Sequence, residues 1–467
     1  MEIGDVMKAK IPYFVALIPI VLTVAFLMIT VFLLDIPLFI PLLFGYFLTV
    51  LIAMIYHIKV QSLWIASISG IRSISMIIVI LVLIGILIAI WSSSGTIDAL
   101  VYYGLALIHP NYLVFISFIV SSLISMLLGT SVGTSSTVGV AFMGMAHHLG
   151  ISPSLVAGAL VSGAFVGDRT SPLSSAAQMN SLVTDTNYYE NIKELLKTLI
   201  PAMMITSIFY LFIESGIDSI GGGADFVVGQ ARREIVSLYG TLSLWLLLPP
   251  LVIMILAFFK ISTRLNLLAG ILIGAVLAYI FQGRDVLELG QYALFGFNHP
   301  NGKLFGGGWN MFNQILLIVV AGAFYGVLDS SGILSIILDK MTKSMKNELS
   351  VVQKTMGISI ASAALSSTQV MGIIIPGKVM SNIYKKMDMK LTLLNRMISD
   401  SGMMVAGLIP WNLNAILLGI ALNISVLDYL PYAFLLVVLP IYSYLHYWWG
   451  FAKKEKTTGR KIAKNIE

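Results

Sequence analysis

Two short runs hold the ionisable groups whose setting makes them chemically notable. GDRTSP (167–172) puts Asp168 and Arg169 after sixteen mostly apolar residues. NRMISDSG (395–402) puts Arg396 and Asp400 four apart, the spacing that sets two side chains on one helix face. A charged group at membrane depth costs at least ~2.5–3.5 kcal/mol, so it faces a cavity or a partner. Gly163, Gly167 and Pro172 predict a helix break at Asp168, which frees backbone carbonyls. Hard cations such as Na+ take oxygen ligands, and a carboxylate beside freed carbonyls completes a cation site or carries a proton. The chemistry these residues suit is holding a hard cation or carrying a proton. Asp168 and Asp400 are the candidate groups for a cation or a proton, and Arg396 beside Asp400 would act on it. The rival reading is structural, with Asp168 paired to Arg396 or Arg169 and the Arg396–Asp400 pair holding helices together.

Short hydroxyls gather at two further places. Thr130, Ser131, Thr134, Ser135, Ser136 and Thr137 lie at a Ser/Thr/Gly break within 111–150, and Ser366, Ser367, Thr368 and Gln369 lie at one within 349–387. Such hydroxyls and exposed carbonyls suit a partly dehydrated cation, and nearby helix N-termini suit an anion. Packing would explain any one of them but not their clustering. Pro410-Trp411-Asn412 breaks a second long helix, where Asn412 and Asn414 offer neutral oxygens or donors. Other features read as ordinary. His147-His148 lacks a metal partner at ligand spacing, Lys378 is expected to snorkel to the interface with an anion contact as the alternative, Glu214 and Asp35 end spans, and GGGAD (221–225) lacks the continuation of a phosphate loop.

The elements that must position these residues are membrane helices. Hydrophobic residues make up 58% of the chain and charged ones 11%, with mean hydropathy +0.93; soluble domains hold about 25% charged residues. The chain is expected to be an all-α polytopic membrane protein, with the lipid bilayer as its main partner. There is no cysteine, which excludes disulfides and thiolate-ligated centres, and no cofactor is indicated. The net charge of +6 is explained by its placement and not by nucleic acid. Ten spans are predicted at 12–34, 37–56, 73–92, 152–178, 198–215, 241–259, 264–281, 309–328, 390–415 and 428–449. The interrupted segments 111–150 and 349–387 are read as re-entrant hairpins. With both termini in the cytoplasm, Lys and Arg divide 22 inside against 4 outside, with Arg169 and Arg396 in the membrane.

The pattern occurs twice. Ser93–Gly95 and Ser330–Gly332 end helices, their glycines 237 apart, and Ser162-Gly163 and Ser401-Gly402 are 239 apart. Five spans per half is odd, so the second copy is inserted upside down. The predicted organisation is two inverted-topology repeats of five spans, each with one re-entrant hairpin and a broken helix. The first repeat covers 1–215, with hairpin 111–150 and broken helix 152–178. An external linker follows at 216–240. The second repeat covers 241–449, with hairpin 349–387 and broken helix 390–415, and a basic cytoplasmic tail runs through 450–467.

At GTSVGTSSTVGVA, AGALVSGAFVGDRTSPLS and the YENIKELLKTLIPA run (189–202), supported by IIIPGKV, LNRMISDSG and IPWN, the chain resembles the NhaC-type sodium/proton antiporter family of the broader ion transporter superfamily. The resemblance implies inverted repeats, two hairpins, an elevator-like cycle and a homodimer. It implies site roles for Thr130, Ser131, Gly167, Asp168, Ser171, Pro172, Asn395, Arg396, Asp400, Ser401, Gly402, Pro410, Trp411 and Asn412. Many relatives carry SPLSD where this chain has Ser175, so a carboxylate of the family pattern is missing.

The expected function is Na+/H+ antiport across the cytoplasmic membrane by alternating access, with Asp168 and Asp400 as the competing Na+ and proton carriers and Arg396 tuning Asp400. The second reading is a Na+- or H+-coupled carrier of a small organic solute, such as malate, lactate or an amino acid. An intramembrane enzyme would need a nucleophile–base pair or metal motif, and the chain has neither HExxH nor GxSxG. A passive channel fits poorly with broken helices in two halves.

Overall fold

The computed structural model describes residues 11–30, 36–216, 224–239, 242–300, 304–342, 345 and 347–464. Asp35, residues 221–223 of the GGGAD run, and Lys8, Lys10, Lys303, Lys343 and Lys346 among the counted cations lie outside the described residues. The fold is helical apart from a two-residue antiparallel ladder pairing Phe297 with Phe305 and Asn298 with Leu304.

Among the described residues, six helices are long and apolar enough to cross a membrane alone: Val60–Ser94, Pro110–Leu128, Tyr188–Ser215, Thr263–Gln282, Trp309–Ser330 and Phe434–Phe451. The bent pair Leu391–Leu408 and Leu413–Ala421, angled at 54°, can serve as a seventh. Three expected spans form shorter apolar helices, Tyr13–Ile29, Phe39–Ile55 and Leu244–Phe258. The segment read as 152–178 divides into Pro153–Thr170 and Ser175–Val183, with a break at Ser171–Ser174. Large apolar side chains such as Phe14, Leu107, Phe212 and Trp449 stay exposed on the outside, as lipid-facing residues do.

From Val60 the element order recurs. Val60–Ser94, Thr96–Leu107, Leu113–Leu128, the arm from Ser131 to His148, Pro153–Thr170 and Ser175–Val183 are followed in the other half by a matching series. That series is Phe312–Ser330, Ile333–Thr342, Glu348–Leu365, Gln369–Lys386, Leu391–Leu408 and Leu413–Ala421. The two short helices of this series, Thr96–Leu107 and Ile333–Thr342, follow Gly95 and Gly332, which both have positive φ.

Close backbone approach at small residues builds the packing. Val60–Ser94 lies against Phe312–Ser330, where a Cβ on Gly70 would fall 2.1 Å from the Gly322 carbonyl oxygen. Leu113–Leu128 lies on Pro153–Thr170, where a Cβ on Gly167 would fall 1.9 Å from the Ser125 backbone. Serine hydroxyls tie the second pair: Ser121 Oγ donates to the Leu160 carbonyl at 2.8 Å and Ser125 Oγ to that of Gly163 at 2.9 Å. Interhelical hydroxyl bonds and small residues replace the hydrophobic drive that lipid does not supply. The expected linker contains a helix, Ala224–Tyr239, whose Ala231 and Ile235 are buried four residues apart, as one face of a helix requires.

Candidate functional site

Each hairpin turns on one residue in the left-handed region, Gly129 at φ +69° and Ser367 at φ +57°. A threonine follows in each case and caps the second arm. Thr130 Oγ1 accepts from the Gly133 N–H and Thr368 Oγ1 from the Met371 N–H, each at 3.4 Å. The next residue is Ser131 in one hairpin and Gln369 in the other. Both reach Asp168: Ser131 Oγ donates to Oδ2 over 3.4 Å and Gln369 Nε2 donates to the same oxygen over 3.1 Å.

The tips are held there by the breaks in the following helices. A Cβ on Gly129 would lie 2.6 Å from the Leu173 carbonyl carbon. In the other half the Leu413 N–H donates to the Ser367 carbonyl at 2.8 Å, Trp411 Nε1 to that of Ala364 at 2.8 Å, and Asn412 Nδ2 to that of Ala363 at 3.0 Å. Beyond each break a side chain caps the resumed helix, Ser174 accepting from the Ala177 N–H and Asn412 from the Asn414 N–H, both at 3.1 Å. Ser174 Oγ also donates to the Asp168 carbonyl.

Asp168 is 7% exposed and has no cationic partner within ion-pair distance among the described residues. Gln369 is oriented on both ends of its amide. Nε2 also donates to the Met403 carbonyl at 3.1 Å, while Oε1 accepts from Asn414 Nδ2 at 2.8 Å. Sequence reasoning placed Gln369 at the hairpin break but not in the site. Its signal was its place as the first residue of an arm, matching Ser131.

Asp400 lies in a different environment. Arg169 Nη2 donates to Asp400 Oδ1 in a pair that is fully buried, and Thr198 Oγ1 donates to Oδ2 at 2.8 Å. Arg169 Nη2 also reaches the Leu195 carbonyl at 3.2 Å and Thr198 Oγ1 at 3.1 Å. The expectation that Arg396 pairs with Asp400 is corrected here. Arg396 Nη1 donates instead to Glu194 Oε1 at 2.6 Å. Arg396 and Asp400 do face the same helix, Tyr188–Gly216, but residues four apart on it take them up separately: Glu194 engages Arg396, while Thr198, together with Arg169, engages Asp400. Glu194 and Thr198 were not singled out from sequence, because nothing local ties residues on Tyr188–Gly216 to a helix some 200 positions later.

The other expected residues serve the frame. Thr134 Oγ1 donates to the Thr130 carbonyl at 2.8 Å, Ser171 Oγ accepts from the Leu173 N–H at 3.2 Å, and Ser401 Oγ donates to the Met397 carbonyl at 2.5 Å. Asn395 Nδ2 donates to Thr184 Oγ1 at 3.2 Å, while its carbonyl accepts from Asn180 Nδ2 at 2.9 Å. Ser135 Oγ is buried with no partner among the described residues. Ser175, where an acid was expected by resemblance, is exposed in the first turn of Ser175–Val183 and takes no part in the Asp168 cluster. Glu214 does more than end a span, since it accepts the free Val114 and Phe115 N–H groups at 2.5 and 3.2 Å and so caps the first hairpin arm.

Taken together these are the parts of a polytopic membrane protein with a buried, uncompensated carboxylate where two helix starts and a broken helix meet. The chain belongs to the Na+/H+ antiporter family, whose profile matches residues 5–179 and 163–451. It is 32% identical over 393 residues to the Na+/H+ antiporter NhaC of Alkalihalophilus pseudofirmus, covering 82% of this chain and 84% of that protein. It is 30% identical over 400 residues to the Na+/H+ antiporter NhaC of Bacillus subtilis, covering 83% and 86%. A malate-2H+/Na+-lactate antiporter of Bacillus subtilis is 28% identical over 446 residues, covering 93% and 94%.

Proposed function

We propose that this protein is a secondary active transporter of the cytoplasmic membrane that exchanges Na+ for protons by alternating access, with Asp168 as the group for which both compete. The observation that carries this reading is the convergence of Ser131 and Gln369 on Asp168 Oδ2. In the described state two donors occupy the oxygen that a cation would take. Na+ binds there when Ser131 turns its proton away and Gln369 turns its amide to present Oε1, with the Met403 carbonyl within reach of the same amide. A proton on Asp168 removes the charge that holds Na+, so the two ions exclude each other.

Asp400 is excluded from this competition by Arg169, which already compensates its charge inside the protein. Its role is to fix the broken helix against Tyr188–Gly216 through Thr198. The recurring element order supports two inverted-topology repeats of five spans. The hairpins 111–150 and 349–387 then enter from opposite faces of the membrane. Because each hairpin supplies one donor to Asp168, a movement of either tip changes what the carboxylate sees.

The second reading, a cation-coupled exchanger of small organic acids, draws on the similarity to the malate-2H+/Na+-lactate antiporter across nearly the whole chain. Vesicles of purified protein with an internal pH dye separate the two. Proton movement driven by a Na+ gradient alone supports antiport. Movement that requires added malate or lactate replaces it with the organic-acid reading.

A further inference from the structure

A cavity of about 170 Å3 lies between Thr96–Leu107, the second arm of the first hairpin and the end of Leu413–Ala421, and Asp168 is not among its walls. Its lining includes Asp98, Ser92, Asn423 and three histidines, His147, His148 and His299. Asp98 is 4% exposed, and its Oδ2 has no hydrogen-bond partner among the described residues. Oδ1 lies 3.4 Å from Nε2 of His299, which follows the first strand of the small ladder. A buried carboxylate oxygen without a partner is costly, and it marks a place where a positive ligand would be welcome.

One helix connects this cavity with Asp168. Ser131, at its start, bonds Asp168, and four residues on is Ser135, whose buried Oγ is unpartnered. The π-turn Ser135–Gly139 then carries the same face five residues on, to Val140, which lines the cavity together with Gly144 and His147. Between the two, Gly139 sits against a wall of the cavity. Leu422, a wall of the cavity, packs on Gly139 so closely that a Cβ there would meet Leu422 Cδ2 at 2.5 Å.

We propose that this cavity is a second cation site, in which Na+ binds Asp98 with oxygens of Ser92 and Asn423, and protonation of His299 competes with it. With His299 neutral, the Asp98–His299 pair carries one negative charge and an open oxygen. With His299 protonated, that charge is compensated and the cation is released. Among the described residues, the charged groups nearby have partners of their own: Glu234 lies 3.7 Å from His148 Nδ1, Arg232 stands over Tyr102 at 4.2 Å, and Arg284 over Phe297 at 5.7 Å. His147, His148 and His299 are the titratable groups that line the cavity with Asp98. The proposal rests on the Na+/H+ reading, for which this site would load the ion before it reaches Asp168.

The test is thermal unfolding of the purified full-length protein in NaCl against choline chloride, at about pH 8.5 and about pH 5.5, on either side of the ordinary imidazole range. Asp168→Asn is expected to keep a Na+-dependent rise in Tm at the higher pH and lose it at the lower. Adding Asp98→Asn removes that rise, or raises its half-saturation at least about tenfold, while Asp98→Glu retains it as a check on folding. His299→Gln keeps the response at both pH values. A response abolished by Asp168→Asn alone, or surviving Asp98→Asn in the Asp168→Asn protein, overturns the second site. Vesicle flux reads the antiport proposal separately. Na+-driven proton movement without the second response sinks the cavity site alone, and the second response without any flux sinks the antiport reading alone.

Discussion

Ser131 and Gln369, which stand at the same position of two different hairpins, donate to one and the same oxygen of Asp168. They are 238 residues apart, as are the capping pair Thr130 and Thr368 and the turning pair Gly129 and Ser367. The two tips share the capping threonine but differ at the residue that reaches Asp168: a short hydroxyl meets a longer amide.

Gln369→Leu removes the donor to Asp168, the donor to the Met403 carbonyl and the acceptor for Asn414 in one step. The loss that weakens Na+ binding is that of Oε1, which the amide presents to the ion; a contact to a charged group contributes about 1.5–3 kcal/mol, offset in part because the donor that competes with Na+ at Asp168 is lost with it. The half-saturating Na+ concentration for transport is therefore expected to rise about tenfold. Flux measured across a Na+ titration checks this, and an unchanged half-saturation would remove Gln369 from the site.

The Arg169–Asp400 pair should behave as a structural unit. Asp400→Asn or Arg169→Gln alone leaves a buried charge without its partner and is expected to cost about 3–5 kcal/mol of stability. The double variant should regain most of that loss. Thermal unfolding of the four proteins gives the coupling, and additive losses would contradict a direct pair.

Most of the frame was legible in the sequence because it rests on local chemistry. The Gly-Thr-Ser and Ser-Thr-Gln runs turn and cap hairpin tips, and Ser171-Pro172 and Pro410-Trp411 break helices where expected. The pairing of charges was not legible. The i, i+4 spacing put Arg396 and Asp400 on one face, but Glu194 took up Arg396, and Arg169 reached Asp400 from 231 residues earlier. Asp98 was overlooked because an acid in the first turn of Thr96–Leu107 reads as an ordinary helix start.

The two hairpin turns should respond in opposite ways to small substitutions. Gly129→Ala adds a Cβ at φ +69° and 2.6 Å from the Leu173 backbone, so it is expected to destabilise the protein by at least about 1 kcal/mol. Ser367→Gly relieves a left-handed serine at φ +57° and is expected to be neutral or mildly stabilising. Tm values of the two variants check this. A tolerated Gly129→Ala would mean that the tip is not held against the break.

The most direct measurement of the central claim is Na+-driven proton movement in vesicles containing Asp168→Asn, beside wild type and the Arg169→Gln/Asp400→Asn double variant, all shown to be folded. The account predicts that Asp168→Asn lowers the rate at least about a hundredfold, while the double variant keeps measurable exchange. Wild-type exchange in Asp168→Asn, or its complete loss only when the Arg169–Asp400 pair is removed, would contradict the assignment of Asp168 as the carrier.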